Sequence, residues 1–190
     1  MKKGADRISL PKLEGFRCFG CGSANPIGLN MSFYLEKDAV CSDIVLNENY
    51  AGWETVVHGG LLTTLLDEVM AWTALVLKRS FFVTRKIEVK FLRAVRVNVP
   101  LTIKGRLEST SDIARCRVAG TIFDAEGIPR TQGWADMAIL PEKRLSLIPP
   151  HHREQMLGLY RKIEGLVEPC LSDSGSQGEY KGSGEDTASR

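Results

Sequence analysis

Polar and apolar residues alternate with a period of two along much of the chain. Residues 86–92 set Ile87, Val89 and Phe91 against Lys86, Glu88 and Lys90. Residues 101–107 set Leu101, Ile103 and Leu107 against Thr102, Lys104 and Arg106, and residues 114–122 repeat the pattern with Ala114, Cys116, Val118 and Ile122. Side chains of a strand point alternately to its two faces, so this spacing predicts antiparallel strands with one face in the core and one in water. Residues 29–36 and 39–46 add two strands joined by the short turn Lys37-Asp38, and a turn at 124–127 leads into a strand over 131–140 that Pro141 closes. Strands joined by such short turns form a meander.

One segment breaks the rhythm. Between Gly60 and Lys78, Leu61, Leu62, Leu65, Leu66, Val69, Met70, Trp72, Leu75, Val76 and Leu77 leave little room for polar residues, which predicts a helix buried on most sides. Its polar positions, Thr63, Thr64, Asp67 and Glu68, lie three to four residues apart and share a side. The expected architecture is α+β, a curved antiparallel sheet of five to six strands wrapped round one long central helix. Beyond it, residues 153–167 carry a helical stripe of Met156, Leu157, Tyr160, Ile163 and Leu166 behind the breaker Pro149-Pro150. The last twenty residues hold five Ser, four Gly and almost nothing apolar, too little to offset chain entropy, and are expected to be disordered. The layout is an N-terminal extension (1–14), a main domain (15–141), a helical extension (142–169) and a tail (170–190).

Composition narrows the class. The 190 residues are 43% hydrophobic and 25% charged with a net charge of +2, which does not describe a general nucleic-acid or membrane binder. The longest apolar run, 61–77, carries Asp67 and Glu68 near its centre, where a bilayer would penalise them, so no membrane span is expected. No apolar stretch follows the basic N-terminal residues, unlike a secretory signal. Five cysteines, an odd number, point to a reducing cytosol. Within 78–106, however, nine basic side chains face one acid, Glu88, a local +8 that suits a phosphate-bearing ligand beside an apolar pocket. No RNA-binding aromatic pattern, zinc finger or helix-turn-helix accompanies it, so nucleic acid is not the expected partner.

Two constellations carry candidate chemistry. His58-Gly59-Gly60 stands at the helix start, where unshielded backbone N–H groups at the positive end of the helix dipole can cradle a phosphate or a developing oxyanion. Asp67 follows nine residues after His58, about two turns into an apolar helix; burial raises a carboxylate's pKa and suits a general base. The other is Cys18-Phe-Gly-Cys21, with the spacing of half a zinc site. Cys41, Cys116, Cys170, His58, His151 and His152 supply no second pair, so a tight glycine-rich loop with two half-buried thiols is the plainer reading, and no metal is expected.

The strings Cys18-Phe-Gly-Cys-Gly, Asn25-Pro-Ile-Gly-Leu29, Gly52-Trp-Glu-Thr-Val-Val-His58-Gly-Gly-Leu-Leu-Thr-Thr-Leu-Leu-Asp67-Glu68 and Lys86-Ile-Glu-Val-Lys-Phe-Leu-Arg93 resemble the hotdog-fold thioesterases, within them the PaaI-like group, over residues 15–141. The resemblance implies hydrolysis of an acyl-CoA thioester at sites between two subunits of a homodimer or dimer of dimers. CoA arrives as part of the substrate, with no resident cofactor. It implies that Asp67 acts as general base or nucleophile and that Gly59 and Gly60 polarise the carbonyl. His58 would shape the pocket, and Thr84 matches a hydroxyl that in some members orients the water from the facing subunit. Lys90, Arg93 and Arg96 are the candidates for the CoA phosphates. Glu68 is a second carboxylate at the substrate. Adjacent helical positions point about 100° apart, and the motif spacing favours Asp67 as the base. Where some relatives carry Asn or Gln six residues before the histidine, this chain has Gly52. A non-catalytic acyl-CoA or lipid-binding hotdog domain is the alternative; a hydratase lacks its motif here, and a metal or redox module would rest on Cys18 and Cys21.

Overall fold

A computed structural model describes residues 7–78, 82–112, 115–140 and 148–172, with only the backbone described at 109–112 and 168–172. Seven strands form one antiparallel sheet: β1 (Arg7–Ser9), β2 (Tyr34–Glu36), β3 (Ala39–Val45), β6 (Phe82–Phe91), β7 (Pro100–Asp112), β8 (Arg115–Phe123) and β9 (Pro129–Ile139), in the order β1-β2-β3-β7-β8-β9-β6. A two-stranded ribbon, β4 (Ala51–Trp53) with β5 (Val56–Val57), leads into α1 (Gly59–Lys78), and α2 (Pro150–Ser172) closes the described chain. This is the hotdog arrangement, with α1 lying in the concave face of the sheet. The alternation along β8 and β9 is regular, every second residue buried from Cys116 to Ile122 and from Thr131 to Met137.

The helix nests closely because three glycines clear a strip of the sheet beneath it. Gly105, Gly120 and Gly133 are cross-strand partners on β7, β8 and β9. A Cβ at Gly120 would stand 3.0 Å from Leu66, one at Gly133 3.1 Å from Leu66, and one at Gly105 would overlap the buried Thr73 hydroxyl. That hydroxyl donates to the Val69 carbonyl at 2.7 Å, so it needs no partner in the sheet. Gly105→Val should therefore destabilise the domain by about 3 kcal/mol, at the upper end of overpacking costs, read from the urea midpoint.

Several elements depart from the sequence expectation. The sheet has seven strands because Arg7–Ser9, read as extension, pairs with Tyr34–Glu36. Only Tyr34–Glu36 of the anticipated strand over 29–36 is extended ladder, since residues 16–31 are tied into a compact loop by their own backbone bonds. Pro150 is the first helical residue of α2, a position where its missing N–H costs nothing. The face of α2 that enters the core is Leu159, Ile163 and Val167, spaced by four; Leu157 and Leu166 of the anticipated stripe are 40% and 42% exposed. The extension thus packs on its own domain. The disordered-tail expectation falls, from residue 173 on, outside the described residues. Helix α1 has the length and hydropathy of a membrane span, but ten of its twenty residues are buried in this fold.

Candidate active site

The start of α1 is built by the ribbon before it. His58 N–H donates to the Tyr50 carbonyl at 3.0 Å, and the His58 carbonyl accepts from Leu61 at 2.9 Å, closing the first turn. The His58 side chain folds back so that Nδ1 accepts the Gly60 N–H at 3.0 Å. A neutral ring accepting at Nδ1 carries its proton on Nε2. Gly60 is thereby occupied by its own histidine. The Gly59 N–H has no partner among the described residues, so of the two motif glycines it is Gly59 that keeps a donor to offer. A Cβ at Gly52 would lie 2.8 Å from the His58 Cα. Gly52 therefore leaves no room for a larger side chain beside the histidine.

Asp67 and Glu68 leave the helix in different directions, as the 100° step requires. Asp67 is half-buried and faces β6, where the Thr84 hydroxyl donates to its Oδ1 at 3.0 Å. Thr84 sits at a register shift between β6 and β9, a bulge that re-aims the strand locally. Asp67 and Thr84 thus meet within one chain. Lys90, Arg93 and Arg96 are exposed at the far end of β6 and just beyond. Phe91 ties that end to the helix start, since a Cβ on Gly59 would meet its ring at 3.3 Å. Arg93 is anchored to the Pro129 carbonyl at 3.0 Å, and Arg96 borders a cavity of about 240 Å³ with Asp124, Glu126 and Arg130.

Glu68 turns the other way, into the loop that holds Cys18 and Cys21. Its Oε1 lies 3.1 Å from Cys18 Sγ. Burial, then the neighbouring Cys18, pushes the Glu68 carboxyl up to about 8. The Cys21 thiol and the N–H groups of Cys21 and Gly20 hold Cys18 below the ordinary thiol range, and the bond to Cys18 and burial push Cys21 up. Here the plain reading of a tight loop with two half-buried thiols agrees with the structure. Their junction with Glu68 was not anticipated: Glu68 stands 50 residues from Cys18 and was expected at the substrate.

These three residues line a cavity of about 390 Å³ whose remaining wall is apolar, with Ala71, Trp72, Leu75, Phe82, Met156 and Leu159 among its lining. Trp72 is fixed by stacking on Phe33, with ring centroids 4.5 Å apart. Trp72 and Phe82 are the bulkiest side chains of α1 and β6 that line it. Met70 is fully buried against Gly120, and Trp53 is 80% exposed on β4.

Residues 54–127 match the family model described as the thioesterase superfamily, and the fold is that of the hotdog thioesterases. A crystal structure of a thioesterase superfamily protein shares 24% identity and a TM-score of 0.56 over 60% of this chain, which spans 56% of that protein's length. A hypothetical thioesterase from Streptococcus pneumoniae TIGR4, solved with coenzyme A, shares 22% identity over 55% of this chain and 80% of its own, with a TM-score of 0.51. The E. coli PaaI protein from the phenylacetic acid degradation operon shares 13% over 63% and 86%, with a TM-score of 0.55. No curated protein matches the chain.

Proposed function

We propose that the chain is a cytosolic acyl-CoA thioesterase that works as a homodimer or a dimer of dimers. The observation that carries this reading is Asp67, a half-buried carboxylate on an apolar helix, held by the Thr84 hydroxyl at 3.0 Å. Asp67 takes the proton of a water, or attacks directly, and Thr84 keeps the carboxylate aimed. The Gly59 N–H, at the positive end of α1, polarises the thioester carbonyl and stabilises the oxyanion. His58 orders that turn. Lys90, Arg93 and Arg96, contiguous with Gly59 through Phe91, take the CoA phosphates.

One chain alone does not complete this site. Asp67 lies eight residues after Gly59, about 12 Å along the axis at 1.5 Å per residue. Attack needs the water within roughly 3–3.5 Å of the carbonyl carbon. Two copies related by a two-fold axis solve this, each pairing its Asp67 and Thr84 with the other's Gly59. The surface supports such pairing: β6 is an edge strand of ten residues, and Val83, Phe91 and Trp53 are 46%, 56% and 80% exposed.

The acyl group enters the 390 Å³ cavity. Ala71 lies one helical turn beyond Asp67, and Phe82 two residues before Thr84 on the same strand face, so the cavity continues from the Asp67–Thr84 pair. Glu68 belongs to this wall. Thiol release from short, long and aryl acyl-CoAs tests the reading; no turnover with acyl-CoA still bound would leave the non-catalytic binding domain instead. Helix α2 closes the cavity through Met156 and Leu159. Met156→Trp should shift the preferred acyl chain shorter, by about tenfold in relative kcat/KM, since a methylene or two in an apolar pocket is worth 1–3 kcal/mol.

A further inference from the structure

We propose that Cys18, Cys21 and Glu68 form a binding site for a divalent transition-metal ion, Zn2+ foremost, within the wall of the cavity. One ligand atom from each of the three residues lies within 4.8 Å of those of the other two. Two thiolates and a carboxylate suit a borderline-soft ion with tetrahedral preference.

The loop around the cysteines is shaped for this convergence. Gly22 N–H donates to the Cys18 carbonyl at 3.0 Å, Ala24 N–H to Phe16 at 3.0 Å, Leu29 N–H to Phe19 at 2.8 Å and Met31 N–H to Gly20 at 2.9 Å. The loop is therefore rigid without a metal, and it presents both sulfurs to α1. A Cβ at Gly20 would overlap the Glu68 side chain, and one at Gly22 would come within 2.5 Å of the Cys18 backbone. Both glycines are needed to bring the sulfurs onto the carboxylate. The N–H groups of Gly20 and Cys21 point at the Cys18 sulfur and the Trp72 side chain at that of Cys21, the outer-shell donors that steady thiolate ligands.

The electrostatics ask for a cation. Elsewhere in the fold, the buried Asp124 is met by Arg130 at 2.6 Å and by two backbone N–H groups. Glu68 has no basic partner among the described residues and shares its place with two further acids. A divalent ion would displace the protons held among these three acids and take all three as ligands. Three protein ligands leave the fourth position to the cavity, the arrangement of an open rather than a closed zinc site.

The site shares the cavity wall with the thioesterase reading but not its catalytic pair, because Asp67 and Thr84 contribute nothing to it, and its test reads the metal and not turnover. The full chain is stripped with a chelator under reducing conditions and titrated with Zn2+ against a chromophoric competitor, and with Co2+ by absorption. One ion per chain is expected, with thiolate-to-cobalt charge-transfer and tetrahedral d–d bands. Cys18→Ser with Cys21→Ser should remove the charge-transfer band and weaken binding at least about a hundredfold, and Glu68→Gln about tenfold or more. Circular dichroism and melting confirm that each variant is folded. Wild type that is folded and reduced yet binds less than about half an ion per chain overturns the site. So does cobalt bound without a thiolate band, or binding that survives the double serine variant.

Discussion

Asp67→Asn should lower kcat for acyl-CoA hydrolysis by about 10²–10⁴-fold, the usual weight of a general base, with melting temperature and acyl-CoA affinity little changed. Asn keeps the shape and still accepts from the Thr84 hydroxyl, so only the ability to take a proton is lost. The stronger form of the experiment uses the 12 Å between Gly59 and Asp67 along α1. Gly59→Pro removes the free N–H at the first helical position, which tolerates proline, and should itself cost about 10²–10³ in rate. The ring crowds Phe91, so the fold of this variant is checked first. Mixing the two inactive variants by unfolding and refolding should restore about a quarter of wild-type activity. Half of the dimers are then mixed, and each mixed two-fold dimer holds one intact site and one doubly altered site. A mixture as inactive as its parents would place both groups in one chain's site and end the shared-site account. Full activity in Asp67→Asn alone would end the role of Asp67.

Why some of this was legible in the sequence and some not is a matter of range. The helix over 60–78 and the strands from 86 on follow from local period and turn chemistry, and the structure moves their ends by up to five residues. The turn at 124–127 was marked by its Asp and Gly, and the Asp124 carboxylate does accept from Glu126 and Ile128 as such a turn requires. Three-residue strands such as Arg7–Ser9 carry too few residues for a period, and their pairing depends on a partner 25 or more residues away. The core face of α2 was located in part: Ile163, Met156 and Tyr160 pack on the core as expected, but Leu157 and Leu166 are as apolar as Leu159 and Val167, and only the position of α1 and the loop decides which are covered. The row of Gly105, Gly120 and Gly133 reads as ordinary strand residues until the register aligns them under Leu66 and Thr73. At the site, the family resemblance singled out Asp67, Gly59 and Thr84, and the structure joins the Asp67 carboxylate to the Thr84 hydroxyl. The contact of Glu68 with Cys18 spans 50 residues, which no local pattern encodes.

That contact makes the adjacent carboxylates separable by pH. Glu68 titrates near 8 in the metal-free fold against about 4.5 in the unfolded chain, chiefly because burial penalises its charged form. Between those values the folded state holds a proton that the unfolded state has released. Stability from this group is therefore fully present below about pH 4.5 and is lost as pH rises through 8. Glu68→Gln keeps the neutral form at every pH. In chelator-treated protein, the variant should gain on wild type by roughly 1.4 kcal/mol per pH unit across that window, reaching a few kcal/mol, and the gap should then level off. Urea midpoints from pH 5 to 9 measure it; parallel curves would mean that Glu68 is already charged in the fold. Saturating Zn2+ should reverse the order above neutrality, because the ion stabilises the ionised wild-type site and has a poorer ligand set in the variant. Asp67→Asn, by contrast, removes only the smallest of the influences that raise Glu68, the neighbouring charge, and should nearly track the pH dependence of wild type while losing turnover. Each carboxylate thus has a signature that the other lacks, one in rate and one in stability.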